Sequence, residues 1–300
     1  MENFLQQLLN GIAWGSIYAL IALGYTMVYG VLKLINFAHG EVYMMGAMTG
    51  YYAARWLGFA DAPSLLGLAT TLLISMTACA LLGATIERVA YRPLRSAPRL
   101  APLITAIGIS LLLQNAGQLV FGADPKFFPA LIQSRELLRV GAVAVSNIQL
   151  AVLTTSLLLM AALHFVVMRT RFGRAMRAVA FDAPAAALMG VPVDRVIQGT
   201  FVLGSALAAA AGVLVGLSNP KIDPLMGLLP GLKAFVAAVL GGIGSIPGAM
   251  LGGLLLGVVE TFVAGYLSST FRDAIAFVVL VAILLYRPTG LFGAPQLEKV

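Results

Sequence analysis

Arg169–Arg195 reads RTRFGRAMRAVAFDAPAAALMGVPVDR, the longest polar interruption in a chain that is otherwise mostly apolar. It sets five arginines (Arg169, Arg171, Arg174, Arg177, Arg195) against two acids, Asp182 and Asp194. A short helix is written inside it. Asp182 stands as a cap, Pro184 in the first turn, an apolar run follows from Ala185 to Met189, and Gly190 ends it. Two turns of helix are too short to be stable alone in water, so a partner must hold them. A capped stub beside a basic, membrane-adjacent loop suits a docking surface on the cytoplasmic side. The plainer alternative is a charged loop that only sets topology.

Composition explains why this stretch stands out. The 300 residues are 60% hydrophobic and 10% charged, with a mean hydropathy of +0.95. Soluble domains carry about 25% charged residues, so the balance belongs to a polytopic membrane protein. The net charge of +7 is concentrated: Glu87–Arg99 sets four arginines against Glu87, and Arg169–Arg195 holds an equal excess of three. Six of the seven net charges thus fall in two loops. That is the positive-inside signature and not a stripe for nucleic acid. Cys79 is the only cysteine, so no internal disulfide is possible. MENFLQQLLNG at the start has no basic region, and the chain there is read as a retained first helix and not a cleaved signal.

Outward from the two loops, the apolar runs predict an all-α polytopic membrane protein. It has about eight or nine transmembrane helices, some discontinuous, in a single domain over 1–300. The cytoplasmic loops fall at about 88–99 and 169–195, and a periplasmic loop at about 122–147. Gly11 and Gly15 in the first span make a close-packing face, and so do Gly212 and Gly216. Lys33–Trp56 is unusual, because Asn36, His39 and Glu41 stand against or inside the apolar zone. Near the end of the segment, Lys33, His39 and Glu41 are predicted as side chains wetted at the interface. A broken helix lining a cavity is the alternative, and intramembrane ionisable groups are functional candidates by default. Gln114 and Asn115 are amides in a span and are read first as interhelical hydrogen-bond glue. The glycine-rich block Lys233–Glu260 repeats small residues every four positions and turns around Ile246-Pro247-Gly248. Glu260, deep within it, belongs either to a pathway or to a buried pair. Arg287 and the tail with Glu298 and Lys299 are read as cytoplasmic.

No enzyme constellation emerges. HExxH, GxSxG, a Cys/His ligand cluster and GxxxxGK[ST] are all lacking from the sequence, so neither a metal nor an ATP site is expected in this chain. His164, late in an apolar span, is read as a satisfied structural histidine.

Five stretches in order carry a resemblance over nearly the whole chain: NFAHGEVYMMGA (Asn36–Ala47), ERVAYRPLR (Glu87–Arg95), GRAMRAVAFDAPAAALMGV (Gly173–Val191), KAFVAAVLGGIGSIPGAMLGG (Lys233–Gly253) and YRPTGLFG (Tyr286–Gly293). With them the sequence resembles the Liv-type permeases, membrane subunits of branched-chain amino-acid ABC importers. The resemblance implies a bacterial inner-membrane subunit that binds no cofactor itself. A second permease would pair with it, two cytoplasmic ATP-binding subunits would use the ATP, and a periplasmic substrate-binding protein would deliver leucine, isoleucine or valine. Gly173–Gly190 resembles the loop whose coupling helix docks on the ATPase. The residues implied there are Arg174, Arg177 and Asp182 for polar contacts, Ala186 and Met189 to fill a groove, and Gly190 to end the helix. Replacing Ala186 with a bulky acid is expected to uncouple transport. Asn36, His39, Gln114, Asn115 and Glu260 are the candidates along the translocation pathway. The rival readings are a same-family permease for urea, short amides or a sugar, an ATP-independent carrier or channel, and an intramembrane enzyme.

Overall fold

The computed structural model describes residues 2–95, 97–98, 100–141 and 143–293. Arg99, Glu298 and Lys299, named above for the basic loop and the tail, lie outside the described residues. Among the described residues eleven α-helices make up most of the structure, and seven helical stretches are long and apolar enough to cross a membrane. The long helices are α1 (Glu2–Leu32), α3 (Leu65–Ile86), α4 (Leu100–Phe121), α5 (Asn147–Arg169), α8 (Val193–Ser218), α10 (Ile246–Tyr266) and α11 (Arg272–Tyr286). Helix α3 runs on through a π-turn, Glu87–Tyr91, and a 3-10 turn, Arg92–Leu94. Shorter helices are α2 (His39–Trp56), α6 (Arg171–Phe181), α7 (Ala183–Leu188) and α9 (Leu228–Gly241).

The loop at 122–147 is more structured than a bare connection. Strand β1 (Lys126–Phe127) pairs antiparallel with β4 (Lys221–Ile222), and β2 (Glu136–Val140) pairs with β3 (Val143–Ser146). Contacts to these pairs fix where the chain begins relative to the basic loops. Gln6 near the start of α1 accepts a hydrogen bond from the Ala144 amide at 2.8 Å, and Gln149 donates to Asn10 at 2.7 Å. The N-terminus therefore shares a face with the strands. The two basic loops meet on the opposite face, where Arg95 contacts Asp194 at 2.5 Å. The chain past α11 joins that basic face, with the Leu291 and Phe292 amides bonding to the Leu240 and Gly241 carbonyls.

Following direction from face to face shows two four-helix units in inverted order. In the first, α1 runs toward the basic face, α2 and α4 away from it, and α3 toward it. The second unit, α8–α9–α10–α11, reverses every direction. The packing repeats the inversion: α1 lies against α10, and α8 against α3. The two leading helices cross at Gly24 and Gly204, where a Cβ on Gly204 would stand 3.4 Å from the Gly24 Cα. Helix α5 belongs to neither unit and leads straight into α6 and α7. Inverted repeats of this kind place their irregular backbone at the unit boundary inside the membrane, as the next observation shows.

In each unit the second helix is separated from the first by a non-helical stretch, residues 33–38 and 219–227. The 14 residues of α9 extend about 21 Å at the helical rise, short of the roughly 30 Å hydrocarbon core. Helix α2 starts beside Gly24, about 12 Å in from the end of α1, because a Cβ there would meet the His39 ring. The two broken helices meet start to start. A Cβ on Gly40 would come 2.5 Å from the Gly227 carbonyl oxygen and 3.1 Å from the Gly231 Cα. The first amides of a helix have no partner within it and need acceptors in a dry environment. Asn36 meets part of that need by accepting from the Ala38 amide at 3.2 Å. In the other break Asp223 accepts from the Leu225 amide at 2.9 Å, an exposed turn contact ahead of α9.

His39 and Glu41, expected as wetted side chains, are instead buried. The break carries α2's start inward, so the broken-helix alternative is the arrangement found. His164 also differs from expectation: it is exposed, on a face of α5 that no other helix of this chain covers.

Candidate functional site

The helix pair α6–α7 is built as its residues predict. Thr170 caps α6 by accepting from the Gly173 amide at 3.1 Å. Phe172, Met176 and Val179 recur at helical spacing and face inward, while Arg171, Arg174 and Arg177 face out. The turn from α5 into α6 is too tight for any side chain at Gly173, whose Cβ would lie 2.1 Å from the Val167 carbonyl oxygen. Arg177 donates to that same carbonyl, setting its charge on the negative end of α5. Asp182 caps α7 by accepting from the Ala185 amide at 2.9 Å, with Pro184 in the first turn. Gly190 ends the element in the left-handed region at φ +82°, where a side chain would be strained.

What α7 offers outward differs from the expected set in one residue. Ala186, expected to fill a partner's groove, is 6% exposed and packs on its own chain. On a six-residue helix the face holding Ala186 must anchor the element, since nothing else does. The outward apolar side chains are Phe181, Leu188 and Met189, at 94%, 89% and 84% exposure. Arg174 and Asp182 are exposed beside them. Sequence reasoning passed over Phe181 and Leu188. For Phe181 the signal was present, because it stands out of phase with the buried Met176–Val179 stripe; for Leu188, on the next helix, it was not.

A chain of polar contacts runs from this face into the membrane. Asp194, at the start of α8, holds Arg95, which also bonds to the buried carboxylate of Glu87. Arg92 reaches the same carboxylate at 3.4 Å. The π-turn beginning at Glu87 then aims Tyr91, whose hydroxyl donates to Asn36 Oδ1 at 3.0 Å. Asn36 thus ties the break before α2 to the basic loops.

The other intramembrane candidates separate. Gln114 on α4 donates to Glu41 Oε1 on α2 at 2.7 Å, which is interhelical glue as read. Among the described residues Glu41 Oε2 and His39 Nε2 are buried without hydrogen-bond partners, and the His39 ring stands edge-on to Tyr25 at 4.7 Å. Asn115 is on the outer surface of α4 and bonds only to its own helix, at the Leu111 carbonyl. The structure does not bring it together with the rest. Glu260 sits in a buried pair and more. Lys233 on α9 contacts Glu260 Oε1 at 3.0 Å and Asp273 at 2.5 Å. Arg272 contacts Glu260 Oε2 at 3.2 Å, and the Tyr18 hydroxyl donates to the same oxygen at 2.9 Å. Two cations and two carboxylates balance. Lys233, Arg272, Asp273 and Tyr18 were not singled out from the sequence. A lone lysine opening an apolar run was the available sign that Glu260 had a partner. Among the described residues no group of three His, Cys, Asp or Glu side chains could hold a metal ion.

Seven apolar spans, a paired set of broken helices and an apolar-tipped helix stub on a basic face define a multi-pass membrane protein built to engage something outside the bilayer. Comparison with known proteins agrees with that class and sharpens it. The chain belongs to the family described as branched-chain amino acid transport system / permease component, whose model matches residues 7–284. It is 47% identical to the high-affinity branched-chain amino acid transport system permease protein BraD of Pseudomonas aeruginosa, over 99% of this chain and 98% of that one. It is 46% identical to the permease protein LivH of Salmonella typhimurium and 45% identical to LivH of Escherichia coli K12, each over 99% of this chain and 98% of the relative.

Proposed function

We propose that this chain is the membrane-spanning permease subunit of an ATP-binding cassette importer for leucine, isoleucine and valine. A periplasmic binding protein delivers the substrate, a second Liv-type permease completes the pathway, and two cytoplasmic ATP-binding subunits supply the work. The chain itself binds no cofactor. The basic face is cytoplasmic, by the bias of arginine toward that side, which sets the C-terminus inside and the N-terminus outside a bacterial inner membrane. Full-length likeness to permeases named for branched-chain amino acids supports this cargo over the other small solutes of related importers.

The observation that carries the reading is the trio Phe181, Leu188 and Met189, exposed at the end of α6 and on α7, a stub that is itself anchored and capped. Large apolar side chains clustered on an otherwise charged surface mark a protein contact. Arg174 and Asp182 beside them supply the polar rim. Movement of an ATPase pressed on this stub would pass along α5 and through Asp194, Arg95, Glu87 and Tyr91 to the broken helices. That is a shift between two arrangements of the same contacts.

Leu188→Glu with Met189→Glu tests it. Both side chains are exposed, so the thermal midpoint of the purified chain stays within about 2 °C, as for surface changes worth under about 0.5 kcal/mol. ATP-binding subunits no longer co-purify, and binding-protein-dependent leucine uptake in vesicles falls by on the order of 100-fold, as for loss of interface anchors. Retention of those subunits with unchanged uptake overturns the reading.

A further inference from the structure

On the face opposite the basic loops, a cleft of about 430 Å³ opens between α1, α5, α10 and the start of α11. Its lining divides by chemistry. Ala13, Trp14, Ile17, Ile148 and Ala264 form an apolar wall, and Gln7, Asn10, Gln149 and Arg272 bring amides and a guanidinium. Among the described residues no carboxylate lines it.

The hydrogen bonds around the cleft leave donors over. Asn10 Oδ1 is taken by Gln149 at 2.7 Å and by Gln6 at 3.0 Å, which turns the Asn10 amide toward donation. The Gln149 carbonyl oxygen is held by the Ser146 amide. Arg272 commits its Nε to Glu260 and stacks its guanidinium over Trp14 at 5.1 Å. Its two terminal amino groups have no hydrogen-bond partner among the described residues. The guanidinium is therefore fixed in orientation, with its fork unspent. Glu260 is shared with Lys233, and Lys233 with Asp273, so the cluster behind the cleft is neutral already and would remain so on taking up a zwitterion.

We propose that this cleft is a way-station for the incoming amino acid on the outer side of the permease. The Arg272 fork holds the α-carboxylate, with Gln7 and Asn10 as further donors, and the branched side chain lies against Trp14, Ile17, Ile148 and Ala264. This rests on the proposed import of aliphatic amino acids. A fixed fork suits a carboxylate in two parallel bonds, which a lysine cannot match. The apolar wall accepts any small aliphatic chain, since one methylene changes binding only modestly.

The test uses the importer complex in nanodiscs, with Ser218→Cys, a lining residue outside the proposed contacts, as a reporter for alkylation read on this chain by mass. Cys79 is buried and does not compete. Leucine at millimolar concentration slows labelling, and 3-methylbutylamine, the same chain without the carboxylate, does not. In Arg272→Lys, which keeps a cation for Glu260, half-protection needs leucine raised on the order of 10- to 100-fold, the loss expected for a hydrogen bond to a charged group. Equal protection by both compounds, or by neither, overturns the way-station, as does labelling that responds only to anionic lipid. Absence of binding-protein-dependent leucine uptake by the unmodified complex would sink the importer reading itself, a result separate from the labelling.

Discussion

Lys233→Met lowers the stability of this protein by about 3 kcal/mol, and adding Glu260→Gln to the same chain recovers more than half of the loss. The Glu260 side chain has no exposed surface and faces two cations, Lys233 and Arg272. Removing one partner of a buried pair costs about 3–5 kcal/mol, because the remaining charge cannot be rehydrated. The low end applies because Arg272 and the Tyr18 hydroxyl remain. Neutralising Glu260 as well removes the stranded charge, and the charges left on Arg272 and Asp273 are partly exposed. Thermal unfolding in mild detergent reads the result: a fall of roughly 6–12 °C for the single variant and a smaller one for the double. A double variant no more stable than the single would show that the lysine acts through packing and not through its charge.

Gly257→Val separates α1 from α10 and reduces the yield of folded, monodisperse protein roughly tenfold or more, since an overpacked contact consumes a large part of a marginal stability. A Cβ at Gly257 would lie 2.2 Å from the Gly15 Cα and 2.3 Å from its nitrogen. Those are backbone atoms and have no rotamer to change. The same seam repeats its close approaches at Gly11 against Val258, Gly15 against Leu254 and Gly253 against Ala19, so one added isopropyl group pries at all of them. Gly108→Val is the matched comparison, because that helical glycine has no atom within 4 Å of the Cβ position. Size-exclusion profiles of the two variants decide the point. Equal yields would mean that helix propensity, which is the same in both, governs the effect.

Much of this was legible beforehand. The spacings Gly11/Gly15 and Gly253/Gly257 announced close-packed faces, and Asp182, Pro184 and Gly190 announced a capped stub. Each is a local code, where one residue's backbone or hydrogen-bond preference acts within a few positions. The pairing of those faces was not local. Nothing in the first span says that Gly11 and Gly15 meet α10 while Gly24 meets α8. Ala186 and Leu188 read alike in sequence, as apolar residues on a short helix, and only the packing of α7 on its own chain buried one and exposed the other. His39 and Glu41 went the same way. Their position at a segment's end suggested water, and the break before α2 carried them into the interior.

The sequence by itself determined the class of protein, the placement of charge in two loops and the presence of a capped helical stub, because hydropathy, net charge and capping are properties of short windows. Tertiary structure alone decided the inverted pairing of the two four-helix units. It also supplied the partners of Glu260 and grouped Gln7, Asn10, Gln149 and Arg272 around one cleft. Those residues are separated by up to most of the chain, and their chemistry depends on distances that no window of sequence contains.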